Sequence, residues 1–179
     1  MHGRVRAPQL SRGVGRTSEM GVLIAIVGLW LALATGAKSV SAPRFEDFPS
    51  EVADKPASAQ IRGPDLDSHP LAKRYRTILR RGAAGEANFA GHFNAIRIGC
   101  GSSCAFLAIV NRSTGRVYFP AELGVLSWAE WPADTYGYTF RADSRMIRAC
   151  GDPKESGHPG CYYYEWSGSS ARLLAKQSQ

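Results

Sequence analysis

The chain has 179 residues, a formal charge of +7 and ordinary hydrophobic content of 44%, which suits one domain plus tails and leaves little room for a large multidomain enzyme. Four of its basic residues, Arg4, Arg6, Arg12 and Arg16, precede the first apolar run, against one acid, Glu19. From Lys38 onward 18 basic residues face 14 acidic ones, a remainder of +4, so the charge is weak support for a nucleic-acid interface.

The run "GVLIAIVGLWLALATGA", Gly21 to Ala37, follows that arginine-rich start. Arginines stay inside while an apolar segment enters the translocon, and small residues at its end fit the peptidase, so residues 1–37 read as an export signal. Thr35-Gly36-Ala37 offers the cleavage site; the rival Val40-Ser41-Ala42 would put Pro43 after the cut. An uncleaved anchor is the alternative, although the run is shorter than the roughly 20 apolar residues a spanning helix wants. The segment has no cysteine to carry a lipid. Either way the rest of the chain lies outside the cytoplasm, periplasmic or secreted, where disulfides form. It touches membrane only through this segment.

Residues 38–67 hold four prolines and no apolar period, the pattern of a linker or loosely attached arm. Residues 68–82, "SHPLAKRYRTILRRG", predict a helix. Ser68 or Asp67 can cap it, Pro70 suits its first turn, Leu71, Tyr75, Ile78 and Leu79 share one face, and Gly82 stops it. Its other face carries Lys73, Arg74, Arg76, Arg80 and Arg81. That face is either simply solvated or a surface for an anionic partner.

From Phe89 the period changes to that of strands. "HFNAIRIGC", "CAFLAIVN", "VYFP", "YTF", "RMIRAC", "CYYYEW" and "ARLLAK" are separated by short turns such as "NRSTGR", "RADS" and "SGSS". The fold class expected is therefore mainly β: an antiparallel meander of about seven strands, sandwich or open barrel, preceded by one short helix. Residues 68–179 make the single domain. The stretch "AELGVLSWAEWPAD" fits a helix or a packed loop equally well.

Cys100, Cys104, Cys150 and Cys161 occur as two pairs, each between strands followed by a Ser/Gly turn, a weak internal repeat of pattern. If the strands flanking each pair are antiparallel neighbours, Cys100 meets Cys104 and Cys150 meets Cys161. An extended strand would hold residues four apart at about 13 Å, beyond the roughly 4.4–6.8 Å that a disulfide spans, so "GSS" must form a tight turn. Pairing across the halves is the alternative. Each local staple would contribute about 2–3 kcal/mol. Zinc would use the first spacing but not the second, and a redox dithiol at Cys100 and Cys104 lacks the usual two-residue spacer. No metal and no cofactor is expected.

Three histidines, His69, His92 and His158, remain after the signal, and no nucleophile elbow, zinc-protease motif or phosphate loop is present. Glu86, Asn88 and His92 stand together in "GEANFAGHF". They form either a candidate catalytic trio with His92 as acid/base or groups that shape the approach to a strand. Tyr162, Tyr164 and Trp166 alternate onto one strand face, which is either core or an aromatic binding surface. Asn111-Arg112-Ser113 is a glycosylation sequon, relevant only to a eukaryotic secretory route.

The stretches Asn88–Phe93, Gly99–Cys104, Thr114–Pro120, Asp143–Arg145 and Trp166–Gly168 ("NFAGHF", "GCGSSC", "TGRVYFP", "DSR", "WSG") resemble a family of small exported bacterial proteins of unassigned function. The resemblance covers roughly residues 76–175. Phe93 stands where that family usually has tyrosine. It implies export and a β fold, and no activity. The function expected is a non-enzymatic exported domain that binds an envelope protein or glycan, in an inhibitor-like role or otherwise. An envelope hydrolase using His92 with Glu86 or Asn88 is the first alternative, and a thiol-redox protein using Cys100 and Cys104 the second. On export the mature chain should begin at Lys38, which intact-mass measurement of the exported protein reads directly. A mass that retains residues 1–37 would instead establish an anchor.

Overall fold

The computed structural model describes residues 41–50, 61–128 and 136–178. One helix, α1 (Arg76–Ala83), precedes eight strands: β1 (Phe93–Gly101), β2 (Cys104–Asn111), β3 (Val117–Tyr118), β4 (Val125–Ser127), β5 (Gly137–Phe140), β6 (Met146–Pro153), β7 (Gly160–Trp166) and β8 (Ala171–Ser178). All pair antiparallel in one open sheet of order β1-β2-β4-β6-β7-β8, with β3 on β2 and β5 on β6. The mainly β expectation holds. The eighth strand is β4, from the stretch whose period was ambiguous; Trp131 and its neighbours lie outside the described residues.

The sheet is two hairpin leaves spliced by β4. Cys104, Ala105 and Phe106 of β2 pair with Ser127, Leu126 and Val125, while Leu126 and Ser127 also pair with Pro153 and Asp152 of β6. Strand alternation then sorts the side chains. Phe93 and Ala95 of β1 and Ala105, Leu107 and Ile109 of β2 join Tyr138, Ile147, Ala149, Tyr164, Trp166 and Ala171 of the other leaf in one core. The opposite faces of β1 and β2, carrying Ile96, Ile98, Ala108 and Val110, pack with Ala72, Leu79 and Ala83 in a second core beneath the helix. Both faces of the β1–β2 leaf are thus covered. That is why β2 reads as an almost unbroken apolar run.

The helix is shorter than its apolar period predicts, because residues 66–75 form turns and α1 starts at Arg76. Ser68, expected as a cap, spends its hydroxyl on the Val117 N–H at 2.9 Å, tying this segment to β3. The Ala72 N–H bonds the His69 carbonyl, a three-residue turn in place of a helical step. The buried face shifts with it: Leu71 is 37% exposed and Ala72 fully buried. Gly82 does not end the helix, which runs on to Ala83. Its role is close packing, since a Cβ there would stand 2.8 Å from the Ile96 side chain.

The described parts of residues 38–67, expected to be loosely attached, are fastened. Arg145 and Ser50 donate backbone N–H bonds to Phe48 O and Asp143 O, both at 2.8 Å. The buried Ser144 hydroxyl lies 2.8 and 2.9 Å from the carbonyls of Phe45 and Phe48. Arg141 joins Glu46 and Asp143 at 2.5 and 2.6 Å. At the other end the Asp65 N–H bonds Gly115 O at 2.7 Å. Among the described residues no helix is long and apolar enough to cross a membrane; the run Gly21 to Ala37 lies outside them.

Both disulfides pair locally, as the hairpin reading requires. Ser102 and Ser103 form a two-residue turn between Gly101 and Cys104, and the pairing skips from Gly99–Ala105 to Gly101–Cys104. Cys100 is therefore an inserted bulge residue, which brings its Cα to 5.4 Å from that of Cys104. Cys150 and Cys161 stand directly opposite on β6 and β7, with Cα atoms 4.1 Å apart. No free cysteine remains.

The splice has no slack at Gly151. Its φ is +147° and a Cβ there would lie 2.4 Å from the Ser127 carbonyl. Gly151→Ala should lose about 1–3 kcal/mol through backbone strain alone, and Leu126→Ala, which empties a fully buried site, about 2–5 kcal/mol. Urea unfolding with both disulfides intact measures each.

Candidate functional site

Each stapled hairpin has a closed end and an open end. Cys100–Cys104 and Cys150–Cys161 lie at the turn ends of β1–β2 and β6–β7. The start of β1, the end of β2, the start of β6 and the end of β7 lie at the other ends, where Phe93 pairs with Asn111 and Met146 with Glu165. A cavity of about 260 Å³ opens there, lined by Ala90, His92, Phe93, Asn111, Arg145, Trp166, Ser167 and Gly168. Three of the sequence stretches singled out above, "NFAGHF", "DSR" and "WSG", meet at this one place.

The approach to β1 is folded by its own polar groups. Asn88 mimics a neighbouring strand: its side chain accepts from the Ala95 N–H at 2.8 Å and donates to the Ala95 carbonyl at 3.1 Å. Ala90 and Gly91 then turn with φ of +44° and +80°. Ala90 carries a Cβ in the left-handed region, a strained conformation that surrounding contacts must hold. Those contacts are the bonds from Gly91 N–H to Ala142 O at 2.7 Å and from Ala90 N–H to the Arg141 and Ser144 carbonyls at 3.3 Å. The strain sets His92 at the cavity wall. The Arg112 N–H secures it from behind by bonding the His92 carbonyl at 3.1 Å.

The wall is aromatic with unpaired polar atoms. His92 lies against the Phe93 ring, centroids 4.2 Å apart, and its Nδ1 is buried without a partner among the described residues. Burial pushes the imidazole below its ordinary pKa of 6.5, so it is neutral at pH 7. Trp166, 1% exposed, packs edge-on against Phe93 and Tyr118, yet its buried indole N–H also has no partner among the described residues. Buried polar atoms of this kind are few in folded proteins and each calls for a reason. Arg145 is held from two sides: its Nε donates to the Pro49 carbonyl at 3.1 Å and one terminal nitrogen to Glu165 at 2.8 Å. Glu165 also pairs with Arg172. Asn111 accepts the N–H groups of Ser113 and Thr114 through Oδ1, at 2.9 and 3.1 Å.

The expected trio of Glu86, Asn88 and His92 does not assemble. Asn88 is committed to β1, Glu86 is exposed and contributes only its backbone carbonyl, to Asn94 at 2.7 Å, and neither lines the cavity with His92. The aromatic face of β7 points inward: Tyr164 and Trp166 are core, and Tyr162 packs against them. It is no exposed binding surface, and Trp166 lines the cavity beside His92. Cys100, Cys104, Cys150 and Cys161 are all bonded. Among the described residues no cluster of three His, Cys, Asp or Glu side chains is placed to hold a metal. Arg145 and Asn111 did not stand out in the sequence, one being read within a turn and the other within a sequon. A second cavity, about 340 Å³, lies beside the stacked Trp128 and Tyr136 with Arg97 at its edge. Arg97 there is already bonded to the Tyr138 carbonyl at 2.6 Å.

No family model, curated protein or solved structure matches this chain.

The buried neutral imidazole links stability to pH. Because the folded state holds His92 below its unfolded value, protonation favours unfolding. Stability is full above pH 6.5, falls as pH drops towards the folded pKa, and levels off below it. Melting temperature scanned from pH 8 to pH 5 should show this fall in the wild type and a flatter profile in His92→Gln.

Proposed function

We propose that this chain is an exported binding domain of the bacterial envelope, which holds a ligand group in the cavity between His92, Asn111, Arg145 and Trp166. The observation that carries the reading is the convergence of the open hairpin ends on a cavity with unpaired polar atoms and a strained backbone. Such features cost stability, and folds retain them where they serve a site. The arginine-rich leader supports export, and two disulfides fit an oxidising compartment. The motifs that resemble small exported bacterial proteins support the same reading.

Binding is favoured over hydrolysis because the groups around His92 are aromatic rings, an amide, a guanidinium and the Ser167 hydroxyl, which is bonded to Ser170. A general base needs a partner that orients it or shares its proton, and no carboxylate lines this cavity. A thiol-redox role would need Cys100 and Cys104 to cycle, whereas the bulge that joins them sits on a hairpin end away from the cavity.

Exported wild-type protein immobilised on a matrix should retain material from envelope extract. His92→Ala, with both disulfides intact and an unchanged circular dichroism spectrum, should lose most of that retention. Neither protein should release a soluble product detectable by mass spectrometry. Product release that depends on His92 would establish the hydrolase instead. Retention that survives His92→Ala would remove the cavity from the function.

A further inference from the structure

We infer that the cavity takes a carboxylate, carried on a small ring or short chain. This rests on the reading of the cavity as a binding site and names the chemistry of its occupant. Two of its lining residues keep side-chain nitrogens unspent among the described residues, and both nitrogens are donors. The Trp166 ring lines the cavity, while its indole nitrogen is buried. Asn111 uses its oxygen on two backbone N–H groups, which leaves its amide nitrogen as the end with no partner among the described residues. Arg145 spends its Nε on Pro49 and one terminal nitrogen on Glu165, so the second terminal nitrogen is likewise unspent among those residues.

Charge selects the occupant further. Glu165 is shared by Arg145 and Arg172, two guanidinium groups against one carboxylate, and no Asp or Glu lines the cavity. One uncompensated positive charge suits a monoanion, whereas a phosphate dianion would call for more cations. A planar carboxylate matches the guanidinium edge and can take a second bond from the Asn111 amide nitrogen. Phe93 and Trp166 supply flat apolar walls for the group that carries it. A volume of about 260 Å³ admits something near the size of a benzoate or a single sugar acid.

The test is a titration of ¹⁵N-labelled exported protein, following the Trp166 indole cross-peak, which is assigned by its absence in Trp166→Phe. Sodium benzoate and D-glucuronate should move the peak saturably, and benzamide and D-glucose should not. Asn111→Asp keeps the oxygen that caps the Ser113–Thr114 turn but replaces the amide donor with a negative charge. It should weaken benzoate binding by about 10-fold or more while leaving the backbone spectrum of the fold in place. Equal shifts with acids and their neutral counterparts would overturn the carboxylate and leave the binding-site reading standing. An indole peak indifferent to every probe, or benzoate binding unchanged in Asn111→Asp, would also overturn it. The broader reading is decided separately, by whether retention of envelope material depends on His92.

Discussion

The structure depends on a strand of three residues. β4 hydrogen-bonds to β2 on one side and β6 on the other, and Leu126 at its centre is fully buried. Each hairpin alone has one apolar face too many to be stable in water. Joined through β4, the two leaves turn those faces towards each other and share a core that runs from Phe93 to Trp166. Gly151 makes the join possible, because only a residue without a Cβ lets β6 approach the Ser127 carbonyl so closely.

From that join follows an asymmetry between the ends of the molecule. The turn ends of β1–β2 and β6–β7 are closed by covalent bonds, which restrict the unfolded chain and remove the need for dense packing there. The open ends are held by non-covalent means: the Asn88 clamp, the bonds from Ala90 and Gly91 to the 141–144 turn, and residues 44–50 fastened over Ser144 and Arg145. These contacts position a left-handed alanine, a neutral imidazole and an indole N–H without a partner among the described residues. The cavity lies at the end held by these non-covalent contacts.

The strands were legible because their side-chain period survives burial. β1, β2, β6, β7 and β8 appear where branched and aromatic residues run between turn residues. The local disulfides were legible for the same reason, since each cysteine pair brackets a hairpin turn. β4 was not, because three residues carry too little period to separate a strand from a loop. The helix start misled for a different reason. Ser68 and Pro70 form a good local cap, but β3 offers Ser68 a long-range bond through Val117, and a tertiary partner overrides a local preference. Asn88 and Glu86 sat near His92 in the chain and looked like a site. Asn88 instead closes a backbone pairing, a use that proximity in sequence does not reveal.

The sequence by itself determined the mainly β class, the hairpin setting of each cysteine pair and the shared strand face of Tyr164 and Trp166. All of these follow from local composition or from a period along one strand. Only the tertiary structure decided which distant residues meet. Asn111, Arg145 and Trp166 are far apart along the chain and are brought to His92 by antiparallel register across two leaves. Register couples positions by where strands end and how β4 joins them, and a single sequence records no trace of that coupling. The cavity was therefore present in the chain as scattered residues, and formed only when the two leaves packed around their shared core.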